Sequence, residues 1–245
     1  VYAAFYKQRS KAGDFVMMDN SAYEFKEAWN PELLVELAER CGAHAVVLPD
    51  YPFQKAQVTI EAAEKHIPLF KQARLLTFFV PQSEKGDLQD WIRAYEWAAN
   101  HPDIDIIGMS ILGIPNALPA VDPSFARVVM AQLLVDRGVF NSKKFHHFLG
   151  LNGGPGLEIP SLLRMGVLNT ADSSGPVWHA ILGHEYSENS DSLQAVRKCN
   201  MPVQFDYPLT RDAETVRRIE CNIELTQKLF ITYDKASTWF AQESS

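Results

Sequence analysis

The sequence predicts an α/β fold, specifically a (β/α)8 TIM barrel, on three observations. Eight short runs rich in Val, Ile, Leu, Phe and Tyr punctuate the chain, and most are separated by segments of helical periodicity. The runs are continuously apolar rather than alternating, which suits parallel strands buried on both faces. Eight strand–helix units in 245 residues fit one closed barrel better than an open sheet. A doubly wound sheet is the rival architecture.

In chain order, strands are expected at 2–6 (YAAFY), 15–19 (FVMMD), 44–50 (HAVVLPD), 75–82 (LLTFFVPQ), 105–112 (DIIGMSIL), 145–151 (FHHFLGL), 167–172 (VLNTAD) and 203–207 (VQFDY). The first two are joined only by KQRSKAGD, too short for a crossover helix. Either that link is a hairpin-like turn or the first strand is misassigned. In NPELLVELAERCG, Asn30 serves as N-cap, Pro31 opens the helix and Gly42 ends it, with Leu33, Leu34, Leu37 and Ala38 on one face. VTIEAAEKHIPLFKQ carries an internal Pro68 that should kink or end its helix. DLQDWIRAYEWAANH, DPSFARVVMAQLLVDRG, IPSLLRMG and DSLQAVRKC supply later helices. A helical tail is expected over about 212–240, completing one domain over 1–245.

Composition limits the function classes. Hydrophobic residues make up 47 % of the chain, enough for a sizeable core. No apolar run approaches the ~18 residues of a membrane span. No signal peptide is visible, and since the sequence opens on Val1 an upstream stretch is allowed for. Cys41, Cys199 and Cys221 are odd in number and far apart, which reads as reduced thiols in a cytoplasmic protein. The net charge of −7 requires any nucleic acid to be met by a local patch rather than the whole surface.

Polar residues collect where a barrel does its chemistry, at the C-terminal strand ends. Asp19, Asp50, Gln82 and Asp172 end four strands, and Ser110 lies late in another. Asp19 and Asp50 are 31 residues apart and Asp50 and Gln82 are 32, one βα unit each. All should share one mouth. Three acids there would repel, so at least one should have a raised pKa. Paired acid and nucleophile roles are what cleavage at an acetal-like carbon needs. An Asp after a strand is also often just the next helix's N-cap, least so for Asp50, which YPFQKAQ separates from its helix. His146 and His147 point to opposite faces of one strand, and a hydrogen-bonded core histidine is the default for either. His179 and His184 fit the spacing of a helical zinc pair poorly. LNGGPG (151–156) is a glycine-rich loop but not a P-loop.

MMDNSAYEF, VVLPDY, FFVPQS, GMSILGIP, FHHFLGLNGGPG and GVLNTADSSGP occur in this order over about residues 2–180. As a set they resemble the tRNA-guanine transglycosylase superfamily, and within it the bacteriophage-type 7-deazaguanine DNA transglycosylases. The resemblance implies that Asp172 is the nucleophile attacking C1′, and that Asp19 is the acid/base residue. It implies that Tyr23 and Leu149 sandwich the base, Asp50 reads its N1–H and 2-amino group, and Gln82 faces O6. It places the backbone of Gly108, Met109 and Ser110, with Gly150, around the base. A base gripped this way has been taken out of its stack. A 7-deaza base lacks N7 and should leave less readily, which favours net insertion.

Two departures bear on the substrate. The zinc subdomain of tRNA-modifying members, with its CxCxxC…H cluster, has no counterpart here, and Asn20, Ser21 and Ala22 replace the small residues of the acid/base motif. The resemblance therefore implies guanine replacement in DNA without metal or other cofactor, the expected metal ligands being none. Expected partners are DNA and the guanine or 7-deazaguanine base, with no membrane; a homodimer is left open. Lys143, Lys144, Arg164, Arg197, Lys198, Arg211, Arg217 and Arg218 are candidate backbone contacts, although a solvated charged face explains most of them singly. The expected location is cytoplasmic, in the host cytoplasm if phage-encoded. The alternatives are the same chemistry on tRNA, a non-catalytic partner subunit binding nucleic acid or base, and an unrelated barrel hydrolase.

Overall fold

The computed structural model describes residues 2–22, 28–151, 155–187 and 212–243. Six strands form one parallel sheet: β1 (Met17–Met18), β2 (Ala45–Val47), β3 (Leu76–Phe79), β4 (Ile106–Gly108), β5 (Phe145–Phe148) and β6 (Thr170–Ala171). They pair in sequence order, each parallel to the next. An order without reversal has no topological switch point, which removes the doubly wound alternative. The described sheet is a six-stranded half-barrel rather than the expected ring of eight. The expected strand at 203–207 lies outside the described residues, as do Tyr23, Arg197, Lys198, Cys199, Arg211, the DSLQAVRKC segment and residues 152–154 of LNGGPG.

The expected strand at 2–6 is corrected outright. These residues open helix α1 (Tyr2–Lys11). YAAFYKQRSK contains no β-branched residue and is rich in Ala, Lys, Gln and Arg, which favour helix. No crossover is then needed before β1, and the short link ceases to be a problem.

The remaining helices are α2 (Pro31–Cys41), α3 (Ala56–Gln72), α4 (Leu88–Asn100), α5 (Gly113–Ala117), α6 (Pro123–Asp136), α7 (Pro155–Arg164), α8 (Gly175–Ile181) and α9 (Ala213–Glu243). The capping residues act as the sequence suggests. Asn30 accepts the Leu33 N–H at 3.0 Å, and Asp87 and Asp122 cap α4 and α6 in the same manner. The buried face of α2 is rotated from the expected one: Leu34, Val35, Ala38 and Cys41 face inward, and Leu33 is exposed. Helix α3 continues through Pro68 to Gln72. Pro68 is on the exposed side, where water can satisfy the carbonyl deprived of its partner.

Alternation along the strands divides the core. Val46, Leu48, Phe79, Ile107, Met109 and Phe148 pack outward against the helices. Ala45, Val47, Phe78, Val80 and Ile106, with Met17 and Leu149, fill the other face. Among these inward residues Gly108 is a space requirement. A Cβ there would come within 2.7 Å of Phe78 and 2.8 Å of Val80, closer than packed atoms tolerate. The long helix α9 packs on α7 and α8. Among the described residues no helix is long and apolar enough to cross a membrane.

Candidate active site

The inward-facing residues continue past the strand ends into polar side chains. Asp19 follows β1, Asn20 and Asp50 stand near the ends of β1 and β2, Gln82 follows β3, and Asp172 follows β6. They line a pocket of about 230 Å³ together with Ser110, Leu149 and Gly150. That is below the ~300–1,000 Å³ of a drug-sized site and suits a single ring system. The convergence expected from one-unit spacing is therefore present for the acids and the glutamine.

One wall is a buried polar edge. Asp50, only 5 % exposed, accepts from Asn20 Nδ2 on Oδ1 at 2.8 Å and from Gln82 Nε2 on Oδ2 at 2.7 Å. Asn20 Nδ2 also donates to the Leu48 carbonyl at 2.7 Å, and its Oδ1 accepts the Ala22 N–H at 2.9 Å. Asn20 thus braces the Asp50 carboxylate. Burial pushes Asp50 up to about 6, against the pull of its two hydrogen bonds, and the nearby Asp19 charge adds to the rise. The expected raised acid is therefore present, with desolvation as its main cause and carboxylate repulsion secondary. Each carboxylate oxygen retains a second acceptor site for a ligand. Gln82 Oε1 is buried and without a hydrogen-bond partner among the described residues.

The opposite wall holds Asp172. Its side chain is 59 % exposed. Oδ1 accepts the Gly150 N–H at 2.8 Å and lies 3.2 Å from His147 Nε2. An ionised carboxylate only accepts, so Nε2 carries a proton toward Asp172, and Nδ1 lies 2.8 Å from the Thr170 hydroxyl. Both anchors fall on Oδ1, leaving Oδ2 as the oxygen able to attack. Burial works to raise this carboxyl, but the His147 hydrogen bond, the Gly150 N–H and the His147 and Arg127 charges outweigh it. They hold Asp172 below the ordinary carboxylate range. Gly150 has a left-handed φ of 69°, the conformation that turns its N–H onto Asp172 at little cost for glycine. Gly150 thus both lines the pocket and anchors Asp172.

Two contributors were underweighted or missed by sequence reasoning. His147 faces the site, whereas His146 is the core histidine. His146 bonds Tyr95 Oη at 2.8 Å, and burial pushes its imidazole down to about 4. Period-two alternation with Leu149 was the available signal. Arg127, fully buried on α6, forms two 2.6 Å bonds to Glu158 on α7. Its Nη1 donates to the carbonyls of Met109 at 3.1 Å and Leu149 at 3.0 Å, and its guanidinium lies 5.5 Å from the Phe148 ring centre. It clamps the ends of β4 and β5 beneath the pocket. No motif marks it in sequence.

The other expected site residues divide between the pocket lining and its surroundings. Gly108 and Met109 do not line the pocket. The Met109 N–H is engaged by the His147 carbonyl at 2.8 Å. Ser110 does line it, with its hydroxyl accepting the N–H groups of Leu112 and Gly113. The described basic candidates lie elsewhere. Lys143 and Lys144 precede β5, at the end of the sheet opposite the pocket. Lys144 Nζ caps the His101 and Ile104 carbonyls at 2.7 and 2.6 Å. Arg164 turns back on Pro160 within α7. Arg217 pairs with Glu185 and Glu214, and Arg218 binds the Ala180 carbonyl. Among the described residues no three His, Cys, Asp or Glu side chains gather to hold a metal. A comparison with protein-family models gives no match, and neither does a comparison with curated proteins.

Proposed function

We propose that this protein is a base-exchange transglycosylase that removes guanine from DNA and inserts a 7-deazaguanine through a covalent intermediate on Asp172, on a (β/α)8-type scaffold. The observation carrying the proposal is the pairing of two unlike carboxylates in one base-sized pocket. Asp172 is exposed, anchored through one oxygen and held ionised, which suits a nucleophile. Asp50 is buried among amide groups, which suits reading the edge of a heterocycle. In the first displacement Asp172 Oδ2 bonds to C1′ as the C1′–N9 bond breaks. The electron pair leaves with guanine, and Asp19 supplies the ring's proton. In the second, N9 of the incoming base bonds to C1′, the ester C–O bond breaks, and the N9 proton returns to Asp19. The oxocarbenium-like state between them faces the Asp172 carboxylate.

Polymer contacts are assigned to the pocket end of the sheet. Exposed Lys55 and Lys85, on the loops after β2 and β3, stand there. The test is incubation with labelled guanine and, separately, duplex DNA, single-stranded DNA and tRNA, with Asp172→Ala as control. Label entering DNA and lost in the variant is the expected result. Label entering tRNA alone would transfer the chemistry to RNA. Incorporation into neither would favour a non-catalytic binding subunit.

A further inference from the structure

Among the described residues, three non-glycine residues have left-handed backbone: Ser21 at φ 55°, Phe53 at 66° and Arg74 at 58°. Arg74 follows helix α3, where the Leu75 N–H closes onto the Phe70 carbonyl at 3.0 Å. A left-handed residue commonly ends a helix in this way. Ser21 is small and lies within the turn in which Asn20 Oδ1 accepts the Ala22 N–H. Phe53 has neither explanation. It is third in the turn Tyr51–Pro52–Phe53–Gln54, closed by the Gln54 N–H onto the Tyr51 carbonyl at 3.3 Å. Pro in second place and positive φ in third is the layout of a type II turn, whose third position belongs to Gly or Asn. A bulky side chain there is a steric outlier.

The fold does not repay that strain. The Phe53 side chain belongs to neither core cluster, the residue is 47 % exposed, and among the described residues no aromatic ring pairs with it. Phe53 does line the pocket, beside Pro52. The turn is held in place: the Tyr51 N–H donates to Thr59 Oγ1 at 3.1 Å, and the Ala56 N–H donates to Asp90 Oδ2 at 2.7 Å. A strained residue on a braced loop, with its apolar ring presented to an open pocket, is a binding feature rather than a packing one.

We propose that Phe53 is a stacking residue, presenting its ring to the planar heterocycle that enters the pocket while Asp50 and Gln82 engage the heterocycle's polar edge. The identity of that heterocycle as guanine rests on the base-exchange reading; the stacking role does not. Each base–aromatic stack is lost at a cost of roughly 5- to 150-fold in affinity.

The test measures affinity for free guanine, 7-deazaguanine, adenine and cytosine, together with the melting temperature, for the full chain and for Phe53→Gly and Phe53→Trp. Phe53→Gly should weaken guanine binding by roughly 5- to 150-fold while its melting temperature holds or rises, because glycine relieves the turn. Phe53→Trp should retain binding. Guanine affinity unchanged in Phe53→Gly would overturn the stacking role and leave the base-exchange reading intact. So would a fall in melting temperature, which would make Phe53 a packing residue. A full chain that ignores guanine but binds another heterocycle in a Phe53-dependent way would keep the stacking role and overturn guanine as substrate. Binding of none of the four would overturn both.

Discussion

The two walls of the pocket treat the same functional group in opposite ways. Asp50 is sealed from solvent between two amide groups and pushed up to about 6. Asp172 is open to solvent, yet held below the usual range by a histidine, a backbone N–H and a buried arginine's charge. Burial raises both carboxyls; what differs is the company each keeps. Amide donors offset only part of the desolvation of Asp50, whereas charge-assisted bonds more than offset that of Asp172. A separation of this kind lets two aspartates a few residues from strand ends take distinct chemical roles.

The strongest way to break the contrast is to remove the clamp beneath Asp172. Arg127→Leu leaves Glu158 buried without its partner and frees two backbone carbonyls. Breaking such a pair costs about 3–5 kcal/mol, so urea denaturation should show a loss of that order; a loss under 1 kcal/mol would show that the clamp is dispensable. The next largest effect concerns His147. His147→Leu removes one of two donors to Asp172 Oδ1. A hydrogen bond to a charged group is worth about 1.5–3 kcal/mol, so kcat for exchange should fall roughly 10- to 150-fold, with guanine affinity nearly unchanged because the histidine is on the Asp172 side. A parallel loss of affinity would mean the walls are not separable.

The smallest effect sharpens the other wall. The folded-state pKa of Asp50 lies above its ordinary value, so the folded protein binds the extra proton more tightly than the unfolded chain. Its contribution to stability is fully present below about pH 4 and is lost as pH rises to about 6. On the base-exchange reading guanine binding should run the other way, strengthening as Asp50 ionises above about pH 6. In Asp50→Asn both dependences should disappear, read by melting temperature and by titration calorimetry between pH 4 and 8. A break near pH 6 that persists in Asp50→Asn would belong to another group.

Part of this contrast was legible in the sequence. Asp19, Asp50, Gln82 and Asp172 announce themselves because strand periodicity and one-unit spacing put them at one end of the sheet. The opening helix was not legible as a helix because YAAFY is apolar without a period that distinguishes the two forms over so few residues. Arg127 and Glu158 lie on consecutive crossover helices and meet only through tertiary packing, so no local pattern encodes the pair. The position of the basic residues relative to the pocket is hidden for a related reason. Charge can be read from sequence, but the end of the sheet on which it lies depends on where each strand begins, and Lys143 and Lys144 fall just before one. Phe53 is hidden differently: the sequence shows Tyr-Pro-Phe-Gln, and only the backbone shows that its third residue is strained.

The central claim is that Asp172 forms a bond to the sugar. The most direct measurement is intact-protein mass spectrometry after mixing with a short guanine-containing DNA and quenching in denaturant, followed by peptide mapping. The account predicts a mass increase equal to the oligonucleotide less one guanine, located on the peptide containing Asp172 and absent from Asp172→Asn. An adduct that persists in Asp172→Asn, or base exchange without any adduct on that peptide, would contradict it.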